Sequence, residues 1–412
     1  MIRPTKSRDV VRLGFMPLLD AAIPIVAAEL GFAEKYGFDI ELVRESSWAN
    51  IRDRLAIGHF EAAHALAPMP IAAAMGLTPF DTPLLTPMVL GLGGNAITVS
   101  DTLWQTMHSA APVAAVNDPA EMGAALRHAV RQRAEAGGQP LVFAVVHPFS
   151  SHNYELRYWL AASGINPDHD LRIAIVPPPF MPDALASGRI DGFCVGEPWN
   201  SRAARTAGGH IILTKSVIWS QSPEKVLALN AGWAEMSLER AQRLLMAMLE
   251  AASWCAEPGN RAQLAALMGR KDRLDVPVVD LHPALDGCIH LADGTVRHLP
   301  DFMIVGRDQA HMPWLDPVLW YATQMERWGQ VKLSWAMIER VLACHRPDLY
   351  RKAASALGQN CPIVDFKPGG ADGSTIEVFG FDGPIRLDAT QLFDGRPFDA
   401  QDFLKHHQAA EC

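Results

Sequence analysis

The chain has 412 residues, of which 49% are hydrophobic and 20% are charged, and its formal net charge is -9 at pH 7. This composition is that of an ordinary soluble globular protein, and the length allows two lobes with separate cores or one large α/β domain, so a largely disordered chain is excluded. The acidic balance and the scattered lysines and arginines exclude a global field that would attract nucleic acid or an anionic membrane, so an anionic ligand would need local donors.

The first hundred residues alternate segments typical of strands and of helices. Residues 10–17 and 38–45 are predicted strands, and Asp20 is predicted to cap a helix that Gly31 ends. A short helix over 51–57 and a buried strand over 62–69 follow. The alternation predicts an α/β fold with mostly parallel strands.

Residues 88–100, MVLGLGGNAITVS, form a long extended segment interrupted by glycines. The run LGLGGNA lacks the spacing G-x-G-x-x-G and is followed by a strand, so it is a weak candidate for a nucleotide site. We expect instead a bulged or hinge-like strand whose glycines let another group approach the backbone.

A second set of alternations begins after Asp101 and predicts a complete inserted lobe that ends near residue 218. Its predicted helices cover 120–136, 151–163, 181–187 and a segment from Asn200, and its predicted strands cover 141–148, 171–179, 191–196 and 211–219.

The chain beyond this lobe is predicted to be mainly helical, beginning with an amphipathic helix over 237–255 that Ser237 caps. The tail from 358 is predicted to hold a loop, a hairpin-like strand pair at TIEVFGF and a short terminal helix. The predicted organisation is therefore lobe 1 over 1–100 and 219–357, lobe 2 over 101–218, and an extension over 358–412 that packs on lobe 1.

The start, MIRPTKSRDVVRLGF, has no apolar segment of the length found in secretion signals, and no long apolar stretch follows elsewhere, so we expect a cytoplasmic protein without a membrane span. No pair of cysteines forms C-x-x-C, which favours reduced and mostly buried thiols over the alternative, a disulfide set in an exported protein. The six cysteines are Cys194, Cys255, Cys288, Cys344, Cys361 and Cys412.

Common catalytic and cofactor motifs are absent: the sequence has no P-loop, no H-E-x-x-H and no G-x-S-x-G. No cofactor is therefore expected. No metal site is expected either, because no spacing groups three or four of the potential ligands. These are His147, His169, His282, His290, His298, His311 and the pair Cys344–His345.

The segment HPFSSHNYELRYWL, residues 147–160, is a candidate anion site. A strand ending at Pro148 brings Ser150 and Ser151 to the start of a helix, whose unpaired N–H groups and positive dipole end favour an anion. His152 lies in the first turn and can donate a ring N–H. The alternative is that Ser151 only caps its own helix and His152 is a solvated surface residue.

Three other segments hold candidate pocket residues. Lys225, in the exposed-looking segment WSQSPEKVLAL, could balance the charge of a monovalent anion, although lysine is usually a surface residue. Trp48 follows a strand and could wall a pocket, although a buried tryptophan is more often core. Glu197 and Trp199, in GFCVGEPWN, follow a strand at the edge where α/β sheets bind ligands, or they fix the crossover between lobes.

These segments closely resemble the nitrate- and bicarbonate-binding proteins of the NrtA/CmpA type. The likeness lies, in order over about residues 11–229, in LGFMPLLDAAIPIVAAELGFAEKYG, ESSWANIRDRLAIG, AHALAPMP, GLGGNAITV, SSHNYELRYWLAASGI, VPPPFM, GFCVGEPWN and SPEKVLAL, and it weakens in the C-terminal third. The resemblance implies a two-lobed periplasmic-binding-protein-like α/β fold of type II, with an anion held in the cleft between the lobes.

The resemblance also implies a nitrate pocket made of Trp48, Asn95, His152 and Lys225, to which the helix start adds Ser151. Nitrate carriers of the family usually have glutamine where this chain has the shorter amide of Asn95. Bicarbonate-binding relatives tend to have an acidic residue in place of Lys225, which favours nitrate or nitrite here. Nitrate is planar and a poor acceptor, so it needs several weakly directional donors and one compensating cation.

Three functions remain open. Without an export signal, the chain resembles most the cytoplasmic nitrate/nitrite sensors of the NasS type, whose ligand-driven closure would release an RNA-binding antiterminator partner similar to NasT. The second hypothesis is the nitrate-binding receptor of an ABC transporter. The third is an enzyme on the same fold, which is disfavoured because the candidate residues form a donor cage without a nucleophile, a poised acid/base pair or a cofactor site.

Overall fold

The structure is a computed structural model that describes residues 8–109, 115–307, 309–368 and 375–409. The described strands form two large sheets, each at the centre of one α/β lobe, and two small hairpins. The predicted α/β class with two lobes is thereby confirmed.

The first lobe is built on a six-stranded sheet with the order β13-β4-β10-β3-β1-β2. Strand β1 pairs in parallel with β2 and β3, whereas β10 runs antiparallel to both of its neighbours, and β13 is antiparallel to β4. Its strands are β1 (Asp9–Phe15), β2 (Phe38–Arg44), β3 (Ala62–Leu66), β4 (Leu84–Gly93), β10 (Pro223–Asn230) and β13 (Met303–Ile304).

The second lobe is built on a five-stranded sheet with the order β7-β6-β8-β5-β9, in which β6 is parallel to β7 and β8, and β5 is antiparallel to β8 and β9. Its strands are β5 (Asn95–Ser100), β6 (Leu141–Val145), β7 (Leu171–Ile175), β8 (Gly192–Gly196) and β9 (Gly209–Thr214). As predicted, most strands of each sheet run in one direction, and the exceptions are β10 and β13 in the first sheet and β5 in the second. Strands β4, β5 and β10 carry the chain between the lobes, so no crossover helix forces them to run parallel to their neighbours.

The passage from β4 to β5 occurs at Gly93 and Gly94. Gly93 has φ +69°, and a Cβ atom there would lie 2.4 Å from the carbonyl oxygen of Phe302, so only glycine fits. The expected hinge-like strand with a close backbone contact is thus confirmed. Strand β5 already belongs to the second sheet, so the lobes change at Gly94 and not at the predicted residue 100.

Helices pack on both sheets and are the main regular secondary structure after β10. They are α1 (Ala22–Glu29), α2 (Phe32–Lys35), α3 (Trp48–Ala56), α4 (Pro68–Ala74), α5 (Asp101–His108), α6 (Pro119–Glu135), α7 (Ser151–Ala162), α8 (Met181–Ala186), α9 (Trp199–Thr206), α10 (Lys215–Ile218), α11 (Ala231–Glu235), α12 (Leu238–Ala256), α13 (Arg261–Met268), α14 (His282–Asp286), α15 (Leu315–Arg327), α16 (Trp335–Cys344), α17 (Pro347–Ala356) and α18 (Ala400–Ala409). Within the described ranges, no helix is both long and apolar enough to cross a membrane.

The C-terminal extension contains the expected hairpin, β14 (Thr375–Gly380) with β15 (Gly383–Asp388), and the expected terminal helix α18. A further hairpin joins β11 (Cys288–His290) and β12 (Val296–His298). Four of the five described cysteines are buried, and all five are free thiols; Cys412 lies outside the described residues.

Candidate anion site

Buried polar and charged side chains meet between the two sheets. We call them the interlobe cluster; each is at most 5% exposed, and they are Asp20, His64, Asn95, Ser151, His152, Glu155, Lys215, Glu224 and Lys225. Ionisable groups are costly to bury unless they are paired, so such a cluster between lobes is a candidate functional site.

Two consecutive residues of β10, Glu224 and Lys225, point into this cluster. Strand β10 carries register shifts against β4 on both sides of Lys225, so Glu224 is the extra residue of a β-bulge. In a regular strand, two neighbouring side chains point to opposite faces of the sheet. The bulge changes this alternation, so both Glu224 and Lys225 can point to the same side. Lys225 is therefore fully buried in a central strand, and the expectation of an exposed segment was wrong.

The carboxylate of Glu224 is the acceptor on which the donors of both lobes converge. Its Oε2 accepts from Asn95 Nδ2, Ser151 Oγ and Lys215 Nζ, and its Oε1 lies 2.5 Å from Lys225 Nζ and 3.3 Å from His152 Nε2. Burial opposes ionisation, but His152, Lys215 and Lys225 together outweigh it and hold the pKa of Glu224 well below its usual range.

Lys225 is already charge-paired. Its Nζ lies 2.8 Å from Asp20 Oδ2 as well as beside Glu224, and it sits 5.4 Å from the ring centre of Trp48. Asp20 in turn lies 2.8 Å from His64 Nε2, in a turn of 3-10 helix before α1. The prediction that Asp20 caps a helix was wrong, because its carboxylate is used between these two buried side chains.

Lys215 and Glu155 form a second buried ion pair at 3.0 Å. The hydroxyl of Tyr321 donates to Glu155 Oε1 and to the carbonyl oxygen of Pro223, each at 3.0 Å. Burial raises the pKa of Glu155 to about 7 despite the neighbouring lysine, so near neutral pH this carboxyl group exchanges a proton with little cost.

The start of α7 contributes Ser151 and His152 as expected from the sequence, but the residue that caps the helix is Ser150 and not Ser151. Ser150 caps the helix by accepting from the backbone N–H of Asn153 at 3.1 Å, and this leaves Ser151 free to donate to Glu224. His152 is fully buried, so its surface alternative was wrong, and burial lowers its pKa to about 3. The imidazole is therefore neutral at pH 7 and carries one N–H to donate.

Some polar atoms at this site have no hydrogen-bond partner among the described residues. They are Trp48 Nε1, Asn95 Oδ1, Glu155 Oε2 and both ring nitrogens of His152. Buried polar groups in native proteins are normally satisfied, so the unpartnered N–H groups of Trp48 and His152 are donors to which a small anion can bind.

Glu197 and Trp199 lie beside the interlobe cluster and outside its donor set. The backbone of Glu197 bonds Gly94 and Leu19 at the passage between lobes, and Trp199 Nε1 donates to the carbonyl oxygen of Pro17 at 3.0 Å. These contacts favour the alternative, in which the two residues fix the crossing between the lobes, and their lining of the cleft stays a prediction. Glu197 Oε2 accepts from the backbone N–H of Ser201 at 3.1 Å, and burial raises its pKa to about 8.

Glu197 should make folding stability depend on pH. Its folded pKa of about 8 lies above the unfolded value, so its contribution is complete below about pH 4.5 and is lost as pH rises through 8. Urea unfolding at pH 5, 6.5 and 8 should therefore show the wild type losing about 1 kcal/mol per pH unit relative to Glu197→Gln. Parallel pH profiles of the two proteins would contradict this.

The sequence pattern missed Glu224, Asp20, Lys215, Glu155 and His64, all of which lie in the interlobe cluster. Glu224 stands directly before Lys225, but strand alternation places it on the other face unless a bulge is known. Lys215 was predicted to lie within a strand over 211–219, whereas β9 ends at Thr214 and α10 begins at Lys215.

Comparisons with known proteins place relatives over most of the chain. Residues 5–269 match the family described as NMT1-like. The nitrate/nitrite binding protein NrtA of Synechococcus elongatus is 34% identical over 90% of this chain and 82% of its own, and the bicarbonate-binding protein CmpA of a Synechococcus species is 30% identical over 90% and 83%.

The fold is also that of a solved relative. The crystal structure of the periplasmic nitrate-binding protein NrtA from Synechocystis PCC 6803 matches with a TM-score of 0.80 and 28% identity, over 97% of this chain and 98% of that one. The expected periplasmic-binding-protein-like fold is confirmed, and the match extends through the C-terminal third, where the motifs of the sequence were weakest.

Proposed function

Because the chain belongs to the NMT1-like family and, within it, to the nitrate- and bicarbonate-binding proteins of the NrtA/CmpA type, we propose that it binds nitrate or nitrite in the interlobe cluster. One observation carries this proposal: donors from both lobes converge on the carboxylate of Glu224. A carboxylate is itself a small planar oxyanion with one delocalised charge, so the same donors suit a free anion of that shape.

An anion that enters the interlobe cluster would meet both positive and negative side chains. Lys215 and Lys225 face the carboxylates of Glu224 and Asp20, with the partly protonated Glu155 beside them. Nitrate would accept hydrogen bonds from donors that now bind the carboxylate of Glu224. Because two negative charges repel each other, this carboxylate has to turn away or gain a proton when the anion enters. Opening and closing of the two lobes about the crossing at Gly93 and Gly94 would give the anion access.

The role that the relatives favour is that of the substrate-binding component of an ABC uptake system. The named relatives are nitrate/nitrite- and bicarbonate-binding proteins and ATP-binding subunits of nitrate and bicarbonate import. This supports the receptor alternative over the cytoplasmic sensor that was first expected, and it supports a binding protein over an enzyme. The partner of the closed, loaded form would then be a membrane permease.

The sensor is kept as a second proposal on the same ligand site. A cytoplasmic NasS-type protein would hold a NasT-like antiterminator in its anion-free form and release it when nitrate closes the lobes. The sensor would bind its antiterminator partner in the anion-free form, whereas the receptor would bind a permease in the nitrate-loaded form. A NasT-like protein retained on the immobilised chain without nitrate, and released by it, would support the sensor; retention of a permease by the nitrate-loaded form would support the receptor.

Calorimetric titration of the purified, desalted protein tests the ligand. We expect saturable one-to-one binding of nitrate or nitrite and no binding of sulfate, because the cluster offers two lysines already engaged with carboxylates and has no spare cation for a dianion. Binding of bicarbonate without nitrate or nitrite would overturn the choice of anion, and binding of none of these would overturn the site.

His152→Ala should weaken nitrate binding by about tenfold or less, because a neutral N–H donor contributes less than a charged one. The matched control is His128→Ala, which removes an exposed imidazole from α6 and should leave the affinity unchanged. The same calorimetric titration measures both variants. Wild-type affinity in His152→Ala would remove this residue from the anion site.

A further inference from the structure

A pocket of about 390 Å³ lies outside the interlobe cluster, between the C-terminal extension, the start of α15 and residues 219–223. Three tryptophans contribute to its walls, Trp219, Trp314 and Trp320, together with aliphatic side chains such as Leu92 and Leu392. Its volume falls in the range of roughly 300 to 1,000 Å³ typical of small-molecule sites, and a mainly apolar wall with a few polar groups is their usual composition.

One of the polar groups in this pocket is the ammonium group of Lys367. Its Nζ donates to Gln221 Oε1 at 3.3 Å and to Thr390 Oγ1 at 3.0 Å; the carboxylates of Asp388 and Asp316 act on its charge without forming an ion pair with it among the described residues. Burial lowers the pKa of Lys367 to about 8. A lysine has three N–H donors, so one donor and the positive charge remain available to a ligand.

The second polar group is the carboxylate of Asp316, in the first turn of α15. It accepts from the backbone N–H of Lys367 at 2.6 Å and makes no ion pair with a described residue. Burial raises the pKa of Asp316 to about 6, so the group is charged at pH 7 at a cost. Three charged side chains thus line one mainly apolar pocket: Arg396 is paired with Asp394 at 3.3 Å, whereas Lys367 and Asp316 carry opposite charges that do not form an ion pair with each other.

We propose that this pocket binds a small α-amino acid with an aromatic or large aliphatic side chain, with its carboxylate on Lys367 and its ammonium group on Asp316. A monocarboxylate would pair with Lys367 but face Asp316, and a simple amine would pair with Asp316 but face Lys367. A zwitterion satisfies both groups, and its side chain packs on the tryptophans, where aromatic rings add contact energy.

Binding in this pocket can be followed by tryptophan fluorescence, independently of whether nitrate binds in the interlobe cluster. The rings of Trp219 and Trp320 have their centres 4.3 Å apart and their planes tilted by 48°, so a bound side chain should change the fluorescence of this pair. Loss of nitrate binding with retained amino-acid binding, or the reverse, would separate the two sites.

The test uses the wild-type chain and three probes: L-phenylalanine, its methyl ester and N-acetyl-L-phenylalanine. We expect saturable binding of L-phenylalanine by calorimetry and tryptophan fluorescence. We also expect binding about tenfold or more weaker for each capped form, because each lacks one charge-assisted contact. No binding of L-phenylalanine, or equal affinity for all three probes, would overturn the proposal.

Two variants locate the site. Lys367→Met should bind L-phenylalanine about tenfold or more weakly and should no longer distinguish it from the methyl ester, while Asp316→Asn should no longer distinguish it from the N-acetyl form. Lys332→Met, which removes an exposed lysine, is the matched control and should bind as the wild type does. Unchanged affinity and selectivity in both pocket variants would place the amino acid elsewhere and overturn the assignment.

Discussion

Replacing Lys225 by methionine is expected to abolish measurable nitrate binding and to lower the free energy of unfolding by about 3 to 5 kcal/mol. The ammonium group is fully buried and faces two carboxylates, Asp20 at 2.8 Å and Glu224 at 2.5 Å. Methionine has a similar length and keeps the packing, so the loss would come from two buried negative charges left with one cation fewer. Calorimetric titration and urea unfolding at pH 7 measure the two effects.

A second substitution separates the two losses. Adding Asp20→Asn to Lys225→Met removes one of the two unpaired charges, so part of the stability should return while nitrate binding stays absent. Lys332→Met serves as the control for removing an exposed lysine and should change neither quantity. Wild-type nitrate affinity in a folded Lys225→Met protein would show that the anion binds outside the interlobe cluster.

The fold could be predicted from the sequence because strands and helices alternate with clear boundaries. Glycines and prolines mark these boundaries, and the predicted hairpin and terminal helix of the extension are present. The reversed direction of β5 and β10 could not be predicted, because these strands carry the chain between the lobes and pair with strands far away in the chain. Local patterns carry no information on such pairings.

The sequence pointed to donors that the structure brings together, and it missed their acceptor; that these donors bind an anion stays a prediction. Ser151, His152 and Asn95 stand at a helix start and beside a glycine pair, where sequence marks a site, and the structure brings them together around one carboxylate. Glu224 could not be identified, because its direction depends on a bulge in β10 that is set by the neighbouring strands. The sequence also treated Lys225 as a free cation, whereas its partners, one of which lies 205 residues away, are visible only in the fold.

An ionised Glu224 should affect the binding of nitrate and the binding of bicarbonate differently. Nitrate has no hydrogen to donate, so beside an ionised Glu224 it meets a second negative charge in a water-poor site, and like charges placed together cost several kcal/mol. Bicarbonate carries an O–H group that can donate to the same carboxylate. The charge of one side chain should therefore act in opposite directions on the two ligands.

Glu224→Gln is accordingly expected to raise the affinity for nitrate by about tenfold or more and to lower that for bicarbonate. Glutamine is nearly isosteric, its amide oxygen can still accept from a lysine, and its NH₂ group can donate to nitrate. Titration of both anions at pH 7 measures the change, and Glu41→Gln, on the exposed side of β2, is the matched control. Weaker binding of nitrate by Glu224→Gln would mean that the carboxylate organises the lysines for the anion instead of competing with it, because only that role requires the charge to stay.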